Sequence, residues 1–310
     1  MKPLIVQNNS RFTAIKRRLV AKVYIHGLNR LVAKVYIHGL NLVFLVFAPD
    51  RLFTQADSSN DDCAIGISSE AEYEHFQPAD SKALLDANSI KILSWNIKKG
   101  QKAKWDLDLQ NLSFDKDLVF LQEANLTEDY YDVLGKTKFR DIAQGWKSSG
   151  VLTAAAVKQV TRCAFRHTEP ILRTPKATLL SEYQLKGTNQ TLLTVNVHMV
   201  NFSIGITEYK NQLLTIRNAI ARHTGPVIIS GDFNTWLPRR LRLLNDIVES
   251  LDLARVIFDE DSRSRAFGCP LDHIFVRGLQ LVSSKIEVVQ SSDHNALSVE
   301  LTTSRSYATR

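Results

Sequence analysis

From residue 90 onward, short apolar runs alternate with polar stretches. The runs are "IKILSWNI" (90–97), "LVFLQEA" (118–124), "GVLTAAAV" (150–157), "ATLLSEYQL" (177–185), "TLLTVNVHMV" (191–200), "PVIISGDF" (226–233), "LDHIFVRG" (271–278) and "NALSVEL" (295–301). Runs of that length, several bounded by Gly, Pro, Asn or Asp, predict buried strands. Two segments carry a different period. In "TEYKNQLLTIRNAIARH" (207–223), Leu213, Leu214, Ile216 and Ile220 form one apolar stripe, and Gly225-Pro226 end it. "RRLRLLNDIVESLDL" (239–253) is amphipathic in the same way. Both read as helices. Many strands with few interleaved helices predict stacked sheets with helices outside, and not a regular βαβ repeat.

The first 89 residues have another texture. "RLVAKVYIHGLN" at 18–29 is followed at once by an identical copy at 30–41. Two copies are too few for a solenoid, which needs about three units to bury a shared core, so the repeat reads as a duplication within the gene. "LVFLVFAP" (42–49) extends the apolar character, although Lys34 and His38 interrupt the segment 31–48. Residues 1–49 thus form a basic leader with two readings: a membrane anchor or signal, or an extension with a short helix. Residues 50–89 are acidic and Ser-rich and read as a linker. The expected catalytic domain is 90–302, with a tail at 303–310.

Charge sharpens this division. The chain carries a net +7 over 310 residues. Residues 1–41 hold eight bases and no acid, and 42–89 hold nine acids against Arg51 and Lys82. The remainder is mildly basic, which suits an anionic partner without requiring one. Cys63, Cys163 and Cys269 are scattered and lack C-x-x-C spacing. They indicate neither a disulfide framework nor a zinc site, and free thiols are expected.

Polar residues collect where the strands end. The first run closes on Asn96, the second on Glu123, and "NVHMVNF" offers His198 and Asn201. "GDFN" supplies Asp232 and Asn234, two residues apart and therefore on one side of the chain. "PLDHIF" carries Asp272, and "SSDHNAL" carries Asp293 and His294. Singly, each has a plain structural reading: a turn-forming Asn, a capping Glu, a satisfied core His, an acid that begins a strand.

In order, W-N, L-Q-E, N-x-H, G-D-F-N, L-D-x-I-F and S-D-H resemble the endonuclease/exonuclease/phosphatase superfamily, the deoxyribonuclease-I-like fold, over residues 90–302. "EPILR", "HMVNFSIG", "GPVIISGDFNTW", "RAFGCPLDHIFVRGL" and "SDHNALSVEL" resemble its YafD-type bacterial branch in particular. The resemblance implies a four-layer αββα sandwich of two mixed β-sheets, with the active site at one rim. It also implies divalent-metal-dependent hydrolysis of phosphoester bonds.

The residue types suit such chemistry. Phosphodiester hydrolysis needs an activated water, charge neutralisation at phosphorus and help for the leaving alkoxide. Mg²⁺ or Mn²⁺ prefers oxygen ligands and few carboxylates. Glu123 with Asn96 offers such an edge, with Asp293 as a further ligand. By resemblance, Asp232 orients and deprotonates the water, and Asn234 hydrogen-bonds the phosphate. His294 donates to a phosphate oxygen or the departing group, Asp272 fixes His294, and His198 contacts the phosphate. Asn201, Arg239 and Arg240 are further phosphate-binding candidates, the arginines lying in "LPRRLRL" (237–243), whose other reading is a solvated helix face. The expected substrate is nucleic acid, with Trp95, Phe202 and Trp236 as candidate stacking surfaces. A lipid headgroup or small phosphoester is the alternative, and a non-catalytic binding module is a third reading. A cytoplasmic monomer is expected, with membrane association through the leader as the variant of that picture.

Overall fold

The structure, a computed structural model, describes the backbone of residues 20–25, 31–37 and 40–46, and residues 84–304 apart from 128, 129, 131, 132, 136, 138 and 204. The chain divides into two units, Met1–Ser58 and Ser59–Arg310. In the first, β1 (Val20–Ile25), β2 (Leu31–Ile37) and β3 (Leu40–Val46) form an antiparallel sheet. The two repeat copies pair with each other, Val23 opposite Ala33. The described part of the apolar segment is therefore strand and not a short helix, as its Val, Ile and Tyr content favours. Among the described residues no helix is long and apolar enough to cross a membrane. The expected linker (50–89) lies outside the described residues up to 83.

In the second unit the elements follow as β4 (Leu85–Asp86), β5 (Ile90–Asn96), α1 (Trp105–Ser113), β6 (Leu118–Asn125), β7 (Phe139–Gln144), β8 (Ser149–Ala155), β9 (Thr161–Thr168), β10 (Pro175–Lys186) and β11 (Thr191–His198). Then come α2 (Thr207–Ile220), β12 (Val227–Asp232), α3 (Pro238–Glu249), β13 (Ala254–Arg255), β14 (Arg265–Ala266), β15 (Cys269–Pro270), β16 (Asp272–Arg277), β17 (Leu279–Glu287) and β18 (Ala296–Thr303). One sheet runs β17-β18-β5-β6-β8-β7. The other runs β13-β16-β12-β11-β10-β4, with β9 also on β10. Both mix parallel and antiparallel pairs.

Between the sheets lies a core of Ile90, Ile92, Phe120, Tyr183, Leu192, Ile228, Ile274 and Leu297. The outer face of the β11–β12 sheet packs on Leu213, Ile216 and Ile220 of α2 and Leu244 and Val248 of α3. The outer face of the β5–β6 sheet packs on Leu109 of α1. These are the four layers expected, α/β/β/α. The domain starts earlier than residue 90: β4 pairs with β10, Leu85 is buried, and Ala87 O accepts the Thr303 N–H. Cys163 is disulfide-bonded, which corrects the free-thiol expectation there, while Cys269 is free.

Candidate active site

Three neighbouring strands of one sheet end in register. His198 of β11 stands opposite Asp232 of β12, and Asp232 stands opposite Asp272 of β16. This close pairing needs Gly231, whose φ is +143 and where an added Cβ would lie 2.0 Å from Val197 O. Gly231 thus remains inside β12 and permits its approach to β11. In the other sheet, parallel strands β5 and β6 deliver Asn96 and Glu123. Glu123 sits where the β6–β8 register shifts, at φ 50, and Asn234 sits at φ 49. Both are side-chain-bearing residues held in a costly region of backbone space, as functional positions often are.

The two edges meet through Asn96, whose Nδ2 donates to Asp232 Oδ2 at 3.0 Å. Asp232 Oδ1 accepts the Asn234 N–H at 2.9 Å. His294 Nδ1 is 2.8 Å from Asp272 Oδ2, and its Nε2 is 4.0 Å from Asp232 Oδ2. The loop carrying His294 is tied to β5: Trp95 Nε1 donates to His294 O, and Ser292 Oγ donates to Asn96 O. Asn234 Nδ2 donates to Met199 O at 2.9 Å, which leaves the second hydrogen of that amide for another acceptor. The structure therefore brings together Asn96, Glu123, His198, Asp232, Asn234, Asp272 and His294.

The electrostatics separate the two reactive groups. Burial alone would discharge the His294 ring, but the carboxylates of Asp272 and Asp232 outweigh it and raise its pKa to about 10. Burial raises Asp232 to about 6, against the opposing pull of His294. A carboxylate titrating near neutrality beside a charged imidazole is an acid–base pair suited to proton transfer. Burial first, then Lys176, His294 and Lys99, hold His198 well below the usual histidine value.

The other edge is looser. Glu123 is a quarter exposed, and its oxygens are met at 3.9 Å by Lys99 Nζ and at 3.8 Å by His198 Nε2. Asp293 is half exposed and paired with Lys98 Nζ at 2.8 Å. Although burial opposes it, Lys98 and His294 hold the Asp293 carboxyl below its ordinary value. Asn96 Oδ1 accepts the Lys98 N–H and has a second lone pair. Glu123, on strained backbone and without a short partner, together with the spare lone pair of Asn96 Oδ1 and the exposed Asp293 carboxylate, fits a hard divalent cation. Asp232, Asp272 and His294 also lie within 4.8 Å of one another, but their nearest atoms are already committed to one another and to Asn96.

Other expected residues fall elsewhere. Arg240 is fully buried and is not a phosphate ligand, which corrects the expectation. Its guanidinium donates to Val200 O, Asn234 O, Asn201 O and Ser203 Oγ, and stacks 4.7 Å from the rings of Tyr209 and Trp236. It braces the loop behind Asn234. Asn201 Oδ1 accepts from Trp236 Nε1 at 2.8 Å, so Asn201 anchors that ring. Trp95 is buried and no stacking surface, whereas Arg239 is exposed. Sequence reasoning missed Lys176, whose Nζ is 3.2 Å from His198 Nε2, and Glu169, which is buried and accepts the Asn201 N–H. Lys176 lies in none of the quoted motifs, and Glu169 opens "EPILR" without any sign of its partner. The amides of L-Q-E and N-x-H tie the sheets below the site, Gln122 Nε2 donating to Asn196 Oδ1 at 2.8 Å, a role their motifs did not disclose.

Comparison with known proteins accords with this geometry. Residues 93–294 match the model of the endonuclease/exonuclease/phosphatase family. An endonuclease/exonuclease/phosphatase from Beutenbergia cavernae superposes with TM-score 0.56 at 13% identity, covering 70% of this chain and 72% of that one. The human nocturnin catalytic domain with bound sulfate gives TM-score 0.55 at 16% identity, covering 72% and 97%. A mannosyl-6-phosphatase from Bacteroides thetaiotaomicron gives 0.50 at 18%, covering 69% and 99%. The chain belongs to the endonuclease/exonuclease/phosphatase family and is a hydrolytic phosphoesterase.

Proposed function

We propose that the protein hydrolyses phosphodiester bonds in nucleic acid with the help of Mg²⁺ or Mn²⁺. The observation that carries the hydrolytic reading is the Asp232–His294–Asp272 constellation: a buried carboxylate raised to about 6 beside an imidazole raised to about 10. Asp232 takes a proton from the attacking water as the water oxygen bonds to phosphorus. His294, its charge held by Asp272, donates a hydrogen bond to the phosphate or to the oxygen that departs as the P–O bond breaks. Asn234 offers its second amide hydrogen to the phosphate. Glu123 and Asn96, with Asp293, would hold the cation, which neutralises charge at the phosphate.

Support for a nucleic-acid substrate comes from exposed Arg239 and from an aromatic wall. Trp236 and Phe267 stand 6.0 Å apart, Phe267 is 87% exposed, and Phe202 follows the Asn201 that anchors Trp236. Such faces suit base stacking. The second reading, a lipid-headgroup phosphodiester, is favoured by exposed Ile171 and Leu172, aliphatic residues that a base would not need. The test is turnover by the full chain with Mg²⁺ or Mn²⁺ on abasic duplex, single-stranded DNA, RNA, sphingomyelin vesicles and phosphoinositide vesicles. Cleavage of a nucleic acid is expected. Cleavage of lipid alone would replace this substrate with the second reading, and no turnover of any would remove both.

A further inference from the structure

Lys176 is the second residue of strand β10, which pairs with β11 so that Thr178 faces Val197, and its side chain reaches His198 at the end of β11. Its side chain is 17% exposed, and its Nζ lies 3.2 Å from His198 Nε2. An ammonium has donors and no acceptor, so this contact requires the lone pair of Nε2 and places the ring proton on Nδ1. The distances from the same Nε2 to carboxylates agree: 3.6 Å to Asp232 Oδ2 and 3.8 Å to Glu123 Oε1, both too long for a donated hydrogen bond. On this edge of the cleft, His198 faces its neighbours as an acceptor.

The cations of the site differ in how far they are committed. His294 is hydrogen-bonded to Asp272, and Lys98 to Asp293. Lys99 is exposed and reaches Glu123 only at 3.9 Å. The carboxylate nearest Lys176 is Glu169 at 3.9 Å. Glu169 is itself occupied by the N–H groups of Asn201 and Phe202 and by the Thr174 hydroxyl. Lys176 thus keeps donors beyond the one given to His198, whose Nε2 also stands near the carboxylates of Glu123 and Asp232. An anion entering there needs a fixed cation whose charge is not already spent.

We infer that Lys176, and not His198, is the group that contacts the phosphate on this edge, with His198 acting as the acceptor that orients the ammonium. This rests on the phosphoesterase reading of the site and assigns it a further substrate-contacting residue. His198 is a positioning residue in that arrangement.

The experiment uses the full chain and inorganic phosphate as probe, titrated by calorimetry. Lys176→Met should weaken phosphate binding about tenfold or more, the scale of one charge-assisted hydrogen bond. Lys176→Arg should retain most of the affinity. His198→Gln, which restores an acceptor oxygen, should lose much less than Lys176→Met. Long-range ¹H–¹⁵N spectra of the wild-type histidines should place the His198 proton on Nδ1. Wild-type affinity in Lys176→Met, a larger loss in His198→Gln, or a proton on Nε2 would each overturn the assignment. Melting curves check that the variants are folded, and if Lys176→Met is not, the arginine variant and the spectra decide. If no phosphoester is cleaved but phosphate affinity still collapses in Lys176→Met, the hydrolase reading fails and this assignment stands.

Discussion

Along the edge of the β11–β12–β16 sheet, His198, Asp232, Asp272 and His294 are buried and lie within 2.8–4.0 Å of their neighbours. Along the facing edge, Glu123 and Asp293 are a quarter and half exposed, and what meets them is lysine or, for Glu123, also His198 at 3.8 Å. The first edge is electrostatically finished before any ligand arrives: its charges are desolvated, paired and fixed in orientation, which is what stabilising a transition state requires. The second holds its carboxylates with contacts that exchange easily for a stronger cation, since exposed ion pairs contribute about 0–1 kcal/mol. Chemistry is prebuilt on one side, and a place for an ion is left open on the other.

The comparison breaks most visibly at Asp232. Asp232→Asn removes the proton acceptor, and turnover should fall by about 10⁴-fold, the upper range for one acid–base group. Stability should move the other way. Burial raises the folded-state pKa of Asp232 to about 6, above its ordinary value of 3.8, so the ionised carboxylate opposes folding at neutral pH. The variant should therefore melt no lower than wild type at pH 8. A large loss of stability with intact turnover would overturn the assignment of Asp232 as base.

Next in size is Asp272. His294 is held charged up to about pH 10, so the charged ring stabilises the fold below its ordinary pKa and that stabilisation is lost as pH rises through about 10. In Asp272→Asn the largest raising influence is removed while that of Asp232 remains, so both the alkaline fall in turnover and the alkaline fall in melting temperature should begin at lower pH. Turnover at pH 7 should drop about 10²-fold. Adding His294→Ala should cost far less than it does alone, because the pair acts as a unit. Multiplicative losses in that double-mutant cycle would show the two side chains working independently.

On the open edge the effect should appear in the ion requirement. Glu123→Gln keeps shape and removes charge, so the Mn²⁺ concentration for half-saturation should rise about 10–100-fold, read both by turnover and by calorimetric Mn²⁺ titration. Melting in the absence of metal should change little, since Glu123 has no short contact to lose. Unchanged Mn²⁺ affinity would mean that the ion is held instead by the Asp232–Asp272–His294 cluster.

What the sequence revealed follows the same division. Asp232 and Asn234 follow an apolar run and Asp272 and His294 open one, and these boundary residues were legible because their order along the chain resembles the family's. The strands missed are those with little apolar periodicity. β9 and β17 have few buried positions, and β7 buries Asp141 while exposing Ile142, so its polar and apolar order does not follow its burial. Lys176 lies 22 residues from His198 and meets it only through the register of β10 on β11. Arg240 was misread for a related reason: "PRRLR" looks like a charged helix start, and only three backbone carbonyls and two rings converging from elsewhere in the chain show it to be a buried brace. The sequence carries strand ends well and tertiary convergence poorly.

The smallest expected effect tests whether the loose edge is loose for a reason. Lys98 Nζ holds Asp293 Oδ2 at 2.8 Å, in a pair whose side chains are 39% and 50% exposed. A cation that uses Asp293 must displace this ammonium, so the lysine competes with the ion and should weaken its binding. The competition is worth no more than the pair itself, about 1 kcal/mol at most, which corresponds to roughly fivefold in affinity. Lys98→Ala should therefore lower the Mn²⁺ concentration for half-saturation by about two- to fivefold, opposite in sign to Glu123→Gln. High salt should shrink the difference, because an exposed pair is screened. If Lys98→Ala instead weakened Mn²⁺ binding, Asp293 would owe its position to the lysine. The second edge would then be as preassembled as the first.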